Sequence, residues 1–326
     1  MAAMPRKVVT TIPAVVAGLL LAGCGADPDR GADGTEPPGG EDDADPAYVV
    51  RRVETGQMPC GILGAGGRVW VSNYADDTLV WVDPATGEVS APVPTGDQPC
   101  GLAYGAGSIW VEDFGSDEVT RVSATDGTVE ATYRVGSQPF DVTFAEGAAW
   151  VTDYGSGTVS RIDAASGEVA ATEVGGQPTG IAPAGGKLWV GLQADGIVSL
   201  DPRSGAVLDR LPTDGPAGWT AYDEDRVWVN VGSTVVRLDP ASAQVVATVS
   251  VGDKPADGTL VGDEVWVGDK DRQLYRFSAD ATGGAATSVD STLFHPFVAA
   301  ELDGLLWVAD FQGTEVVTID PAEVPD

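Results

Sequence analysis

Seven tryptophans recur along the chain at nearly constant intervals: Trp70, Trp110, Trp150, Trp189, Trp228, Trp266 and Trp307, spaced 40, 40, 39, 39, 38 and 41 residues apart. Each follows a proline (Pro59, Pro99, Pro139, Pro178, Pro216, Pro255 and Pro296) by 11 residues, or by 12 in the fifth copy. After the tryptophan comes a short strand such as "WVSNY", "WVEDF" or "WVTDY", then a second ending "WVDPATG", "RIDAASG" or "SLDPRSG". A third, like "VEATYRVG", leads to the next proline. Gly, Asn/Asp and Asp-Pro-x-Ser/Thr-Gly turns separate these runs, and no stretch carries a helical period. A repeat of about 40 residues with four short strands is the mark of a propeller blade. Neighbouring blades cover both faces of each sheet, so its strands can be apolar without strict alternation, as "GRVWVSNY" and "GKLWVGLQ" are. The expected fold is all-β: a seven-bladed β-propeller over residues 47–326, with four strands per blade.

The last unit, from Pro296 on, has only three strands before the sequence stops, while "AYVVRRVETGQMPCG" (Ala47–Gly61) resembles the closing part of a unit with no beginning. Pairing Tyr48–Val53 with the last blade supplies its fourth strand and leaves no open edge in the ring. Such a closure joins residues more than 250 positions apart and predicts slow folding.

Ahead of the repeats, Arg6 and Lys7 precede a mostly apolar run from Val8 to Ala22. At about 15 residues it is short of the ~20 needed to span a bilayer, and it reads as a secretory signal over residues 1–23. "LAGC" (Leu21–Cys24) resembles the bacterial lipobox, which implies that Cys24 becomes an acylated N-terminus. Residues 24–46 are rich in acids, Gly and Pro with almost nothing apolar to bury, the composition of a tether with a reach of roughly 25 Å. The expected location is the outer face of the bacterial cytoplasmic membrane, with the lipid as the only membrane contact. The formal net charge is −31. Arg6 and Lys7 make the leader +2 and the tether carries −7, which leaves −26 on residues 47–326. So acidic a body repels phosphate backbones, which excludes nucleic acid as a partner and leaves an unidentified protein or small-molecule ligand. A monomer is expected.

If the first strand of each unit lines the central channel, the loop before it and the loop after the tryptophan strand open on one face. Residues that break the repeat near each proline are therefore the ligand-site candidates. One residue after the proline stand Cys60, Cys100, Phe140, Thr179, Ala217, Ala256 and Phe297. Cys60 and Cys100 hold the same place in adjacent units, as a disulfide or as two buried thiols; the bond needs Cα atoms within about 4.4–6.8 Å. Two residues after the proline, four units have glycine, whereas the others have Asp141, Asp257 and Val298. With Phe140, Trp219, His295 and Phe297 nearby, these carboxylates could receive a cationic or sugar-like ligand at the channel mouth, or be solvated loop residues beside ring-filling aromatics. Asn73, Asp113, Asp153, Asp269 and Asp310 recur three residues after the tryptophan. Oxygens from different blades, above all Asp113, Asp153 and Asp310, could bind Ca²⁺ or Mg²⁺, although a recurring residue more often serves its own turn, and no cofactor is the main expectation. Arg121, Arg161, Arg237 and Arg276 share one position on the third strand and are expected to pair with acids between blades. No Gly-x-Ser-x-Gly elbow, phosphate loop or Cys-x-x-Cys pair occurs.

The unit "WVSNYADDTLVWVDPATGEVSAPVPTGDQPCGLAYGAG" (Trp70–Gly107) resembles the YVTN-repeat β-propellers and is similar to the virginiamycin B lyase-like (streptogramin lyase) repeats over about residues 48–322. That resemblance implies the propeller fold. For activity it implies, as an alternative to a non-catalytic binding module, a lyase that opens a cyclic lactone with histidine as base and a divalent ion held by acids. His295 is the single histidine here, and a second histidine or a His-x-Glu cluster is absent.

Overall fold

The computed structural model describes residues 45–326 apart from 195, 224, 254, 270–272, 294 and 326, and the side chain of Thr220. The leader, Cys24 and the tether up to residue 44 lie outside the described residues.

Turn chemistry sets the strand boundaries. At "DPATG", Asp83 Oδ1 accepts the Ala85 and Thr86 N–H groups at 2.9 Å each, and Gly87 at φ 77° closes the turn onto the Asp83 carbonyl. Asp163, Asp201 and Asp239 repeat this arrangement at the end of the third strand of blades 3, 4 and 5. Between such turns the chain forms seven antiparallel sheets. Their inner strands are Pro59–Ala65, Pro99–Gly105, Pro139–Ala145, Pro178–Ala184, Ala217–Tyr222, Pro255–Val261 and Pro296–Leu302, which define blades 1–7. Two blades depart from the simple pattern. The outer strand of blade 1 is only Val93–Pro94, because the prolines of "APVP" cannot donate to a ladder. Blade 5 gains a fifth strand, Gly284–Ala285, which runs parallel to Gln244–Ser250 from a loop of blade 6.

The seven tryptophans lie on the second strands, and each is 1% exposed or less. In blades 1–4 the indole N–H donates to the carbonyl five residues earlier, at 3.1–3.4 Å, and pins the inner hairpin. Their rings pack outward into the neighbouring blade. Trp70 lies with Ile109, Val111 and Val122 of blade 2, and Trp189 with Val227, Val229 and Leu238 of blade 5. The core is thus seven clusters, one per seam. The last sets Trp307 and Val316 of blade 7 against Ile62, Val69 and Val71 of blade 1, together with Val53.

Val49–Glu54 is the fourth strand of blade 7, antiparallel to Glu315–Ile319, with Val49 opposite Ile319 and Glu54 opposite Glu315. Arg52 forms ion pairs with Glu315 and Asp45 and donates to the Thr292 hydroxyl. Asp45, assigned to the tether by composition, is therefore tied to the outer edge of blade 7.

The third-strand arginines differ from expectation. Arg121, Arg161 and Arg276 pair with acids of their own blade (Glu130, Asp163 and Glu264), while Arg237 reaches Asp280 of the next blade at 3.8 Å. The reason is register. Each arginine faces its own blade's tryptophan across the strand pair, with the guanidinium 4.9–5.8 Å from the ring centroid. Across the seam, Arg121 and Arg237 donate to the backbone carbonyls of Ala164 and Ala279.

Cys60 and Cys100 form a disulfide between the inner strands of blades 1 and 2, with Cα atoms 5.0 Å apart. It closes a loop of 40 residues, for which chain entropy gives about 4 kcal/mol. Replacing both cysteines with serine is expected to cost about 2–4 kcal/mol in denaturant unfolding, and an unchanged midpoint would show that the bond constrains nothing. Deleting residues 47–55 uncovers Glu315–Ile319 and the Trp307 cluster. Its expected effect is a fall in melting temperature of roughly 10 °C or more, together with aggregation through the bared strand edge. A deletion variant that melts like the intact chain would refute the closure.

Candidate functional site

The ladder registers place the start of every inner strand and the end of every tryptophan strand on one face: Pro59 pairs with Asn73, Pro99 with Asp113, Pro139 with Asp153. In six blades the pairing then skips two residues, from the proline (Ala217 in blade 5) to the residue three further on. This bulge frees the two intervening peptide units from the ladder. Trp219, Asp257 and Phe297 sit in it, whereas in blade 3 the skip is the single residue Phe140 and Asp141 rejoins the ladder opposite Thr152.

Asp141 of blade 3 and Asp257 of blade 6 come from opposite sides of the seven-membered ring. Both keep some exposure to the channel. Asp141 is held firmly: Oδ1 accepts the Val142 N–H at 2.8 Å, and Oδ2 accepts the Ile181 N–H of blade 4 at 2.9 Å. Asp257 Oδ1 accepts the Gly258 N–H at 2.7 Å. Depth in the ring removes water from both carboxyls, and burial pushes the Asp141 pKa up to about 7. For Asp257, burial and then the Asp141 charge raise it to about 8. Trp219, 7% exposed, lays its benzo edge over Gly258, where a Cβ would come within 2.7 Å of the ring. Glycine is therefore required beside Asp257.

Two channel residues escaped the sequence reading. Tyr222, 42% exposed at the far end of the blade 5 inner strand, reaches the Asp141–Thr143 segment, and partial loss of water together with the Asp141 charge raises its pKa. Glu112 of blade 2 is 1% exposed, and burial pushes its carboxyl well above the usual range. A signal for it existed: two residues after each tryptophan the chain has Ser72, Glu112, Thr152, Gly191, Asn230, Gly268 and Ala309, a single acid among small or neutral residues.

The remaining candidates pack against other aromatic rings. His295, 3% exposed, donates its backbone N–H to Asp310 at 3.0 Å. Its ring lies 5.9 Å from Phe297 and 6.0 Å from Phe311, and Tyr74 of blade 1 completes an aromatic group at the seam of blades 7 and 1. Phe140 packs 5.9 Å from Tyr154 of its own blade.

Asp113, Asp153 and Asp310 serve their own blades. Asp153 accepts the Gly136 N–H and the Thr158 and Ser160 hydroxyls, and Asp113 accepts the Thr120 hydroxyl at 2.6 Å. These bonds tie the loop entering a blade to the end of its tryptophan strand, as Asn73 Nδ2 does through the Thr55 carbonyl. Burial raises Asp113 to about 7 and Asp153 to about 6. Among the described residues no three His, Cys, Asp or Glu side chains converge as a metal site would require.

Two cavities, of about 500 and 310 Å³, open on the other face, beside the turns that follow the inner strands of blades 3–5, with Gly185 lining both.

No family model matches the chain, and no curated protein does. Solved structures do. The WD40 β-propeller domain of Doa1 superposes with a TM-score of 0.71 at 10% identity, covering 84% of this chain and 97% of that one. Hydrazine synthase from Kuenenia stuttgartiensis gives 0.70 at 15% identity, over 87% and 99% of the two chains. The computationally designed Ika8 protein gives 0.61 at 13% identity, over 82% and 98%. At these identities the likeness establishes the fold, a β-propeller, and nothing finer.

Proposed function

We propose that this chain is a lipid-anchored extracytoplasmic binding protein whose propeller takes a small organic cation at its channel mouth, in keeping with the lipobox-like "LAGC" and the YVTN-like repeats. One observation carries the reading: Asp141 and Asp257 face each other's field across the channel, held by backbone N–H groups yet still exposed to the channel. Fixed carboxylates beside an indole suit an ammonium better than an anion or a neutral sugar. The negative field of the whole body adds long-range attraction for a cation.

A lactone-opening reaction of the streptogramin lyase kind would need His295 as its base. Its side chain is 3% exposed and packed against Phe297 and Phe311, which supports binding over catalysis. Incubation with a cyclic depsipeptide antibiotic and Mg²⁺ tests this directly. The expected outcome is no ring opening; opening that His295→Ala abolishes would replace the binding reading with the enzymatic one.

Titration calorimetry with putrescine and tetramethylammonium as probes tests the site. Binding is expected, weakened roughly tenfold by Asp141→Asn or Asp257→Asn; no binding of either probe, or equal binding to the Asn variants, would overturn it. The pH dependence has a definite sign. A carboxyl whose folded pKa is raised above its unfolded value favours the folded state fully below the unfolded pKa, and this contribution is lost as pH rises through the folded value. Without ligand, stability is therefore expected to fall from about pH 4 to about pH 8, and Asp257→Asn to raise the melting temperature by a few degrees at the upper end only. A cation prefers the ionised pair, so probe affinity should rise over about pH 6–8.5. A flat affinity profile would remove the two carboxylates from the site.

A further inference from the structure

Three blades carry an aromatic ring six residues before the tryptophan: Tyr104 in blade 2, Phe144 in blade 3 and Tyr222 in blade 5. Phe144 turns into the seam with the preceding blade. A Cβ at Gly105 of blade 2 would fall 2.0 Å from Phe144 Cγ, and the ring lies 6.1 Å from Trp110. Gly105 stands five residues before its own tryptophan, and its missing side chain is what admits the ring. In blades 1 and 4 that place holds Ala65 and Ala184, both buried. Their methyl groups fill the space, and the ring of the following blade is turned out: Tyr104 is 48% exposed and Tyr222 42%.

Tyr222 starts from blade 5 and reaches the Asp141–Thr143 segment of blade 3. Blade 4 lies between, so the ring crosses the channel side of that blade's inner strand. It stands beside Asp141 as a neutral phenol, because loss of water and the Asp141 charge both oppose its ionisation. Trp219 cannot play this part at Asp257, since it is buried with its benzo edge on Gly258. The open aromatic surface beside the carboxylates is that of Tyr222.

Hydrogen-bond acceptors at this point are largely taken. Each Asp141 oxygen accepts a backbone N–H, from Val142 and from Ile181. The neighbouring Glu112 Oε2 is unpartnered but buried out of a ligand's reach. A primary ammonium needs acceptors for all its N–H groups, and it would gain fewer here than it leaves in water. A fully methylated head has no N–H to satisfy. It requires only negative charge and an aromatic face, which Asp141 and Tyr222 supply together.

We propose that Tyr222 is the specificity-determining wall of the cation site and selects a quaternary, methylated ammonium head over a primary one. The proposal rests on the cation reading above and names the class of cation.

Calorimetry with tetramethylammonium and methylammonium, equal in charge, is the test. The wild type is expected to bind tetramethylammonium roughly tenfold more tightly. Tyr222→Phe keeps the ring and should keep that ratio. Tyr222→Ala should bring the ratio close to one, mainly by weakening tetramethylammonium. An unchanged ratio in Tyr222→Ala, or a wild-type preference for methylammonium, would overturn the proposal. If the ratio is unchanged while Asp141→Asn weakens both cations, the carboxylate site stands and only the aromatic wall falls; no binding of either cation removes both. Should the Ala variant not fold, NMR on protein labelled at the tyrosine rings decides. Tetramethylammonium protons should show an NOE to one tyrosine ring, a signal that Tyr222→Phe removes; no such NOE, or one that survives in the Phe variant, would refute the wall.

Discussion

Burial of one indole per seam is the constraint from which the rest follows. A four-stranded sheet of this size cannot cover its own faces, and the tryptophan of each blade completes its burial only against the next blade. Losing one such ring costs about 3–5 kcal/mol, a large share of the net stability of any domain. A row of such blades is therefore unsatisfied at both ends unless it closes. Closure is achieved by Val49–Glu54, which supplies both the missing strand of blade 7 and, through Val53, part of the seventh seam.

Closure fixes the channel, and the channel determines the electrostatics of what lines it. Inner strands converge on the axis and bulge at their first residues, so groups at these positions lose water without gaining the partners a sheet interior provides. Most blades resolve this with glycine or with a hydroxyl bridge. Blades 3 and 6 instead place carboxyls there, Asp141 and Asp257, and blade 2 adds Glu112 from its second strand. Three acids raised by burial in one small region destabilise their own charged forms, so the unliganded channel favours protons. Retaining such groups is consistent with a site whose charge is completed by something else.

The fold was legible in the sequence because a repeat displays its own grammar seven times. Trp70 to Trp307 gave the number of blades, the Asp-Pro-x-Ser/Thr-Gly turns gave the strand ends, and the orphan strand at Tyr48–Val53 gave the closure. The site was only partly legible. Asp141 and Asp257 stood out because they interrupt a glycine position, and the structure brings their fields together. His295 and Phe297 interrupt the same region but lie at another seam, a difference of angle around the ring that sequence spacing does not carry. Glu112 was passed over because it lies on the second strand, outside the proline-centred positions. Its setting comes from the next blade, whose Asp141 shares with it the space beside Gly101. The arginines misled for the opposite reason: the acids exist, but cross-strand register places the guanidinium over its own tryptophan first.

The disulfide and the hydroxyl bridges act on the same few peptide units. Cys60 and Cys100 are covalently joined one residue after their prolines, and the Cys100 carbonyl also accepts from Ser72. Blades 1 and 2 are thus locked twice at the mouth, and blades 3 and 4 by Thr152 together with Asp141. Between these two pairs lies the seam of blades 2 and 3, where Glu112 Oε1 accepts the Gly101 N–H of its own blade and the buried Oε2 has no partner. Titratable groups thus flank blade 3, with Glu112 buried on one side and Asp141 bonded across to Ile181 on the other. The seam of blades 1 and 2 is instead held by a disulfide and a hydroxyl that have no charge to give up, so any adjustment of the mouth to pH concentrates around blade 3.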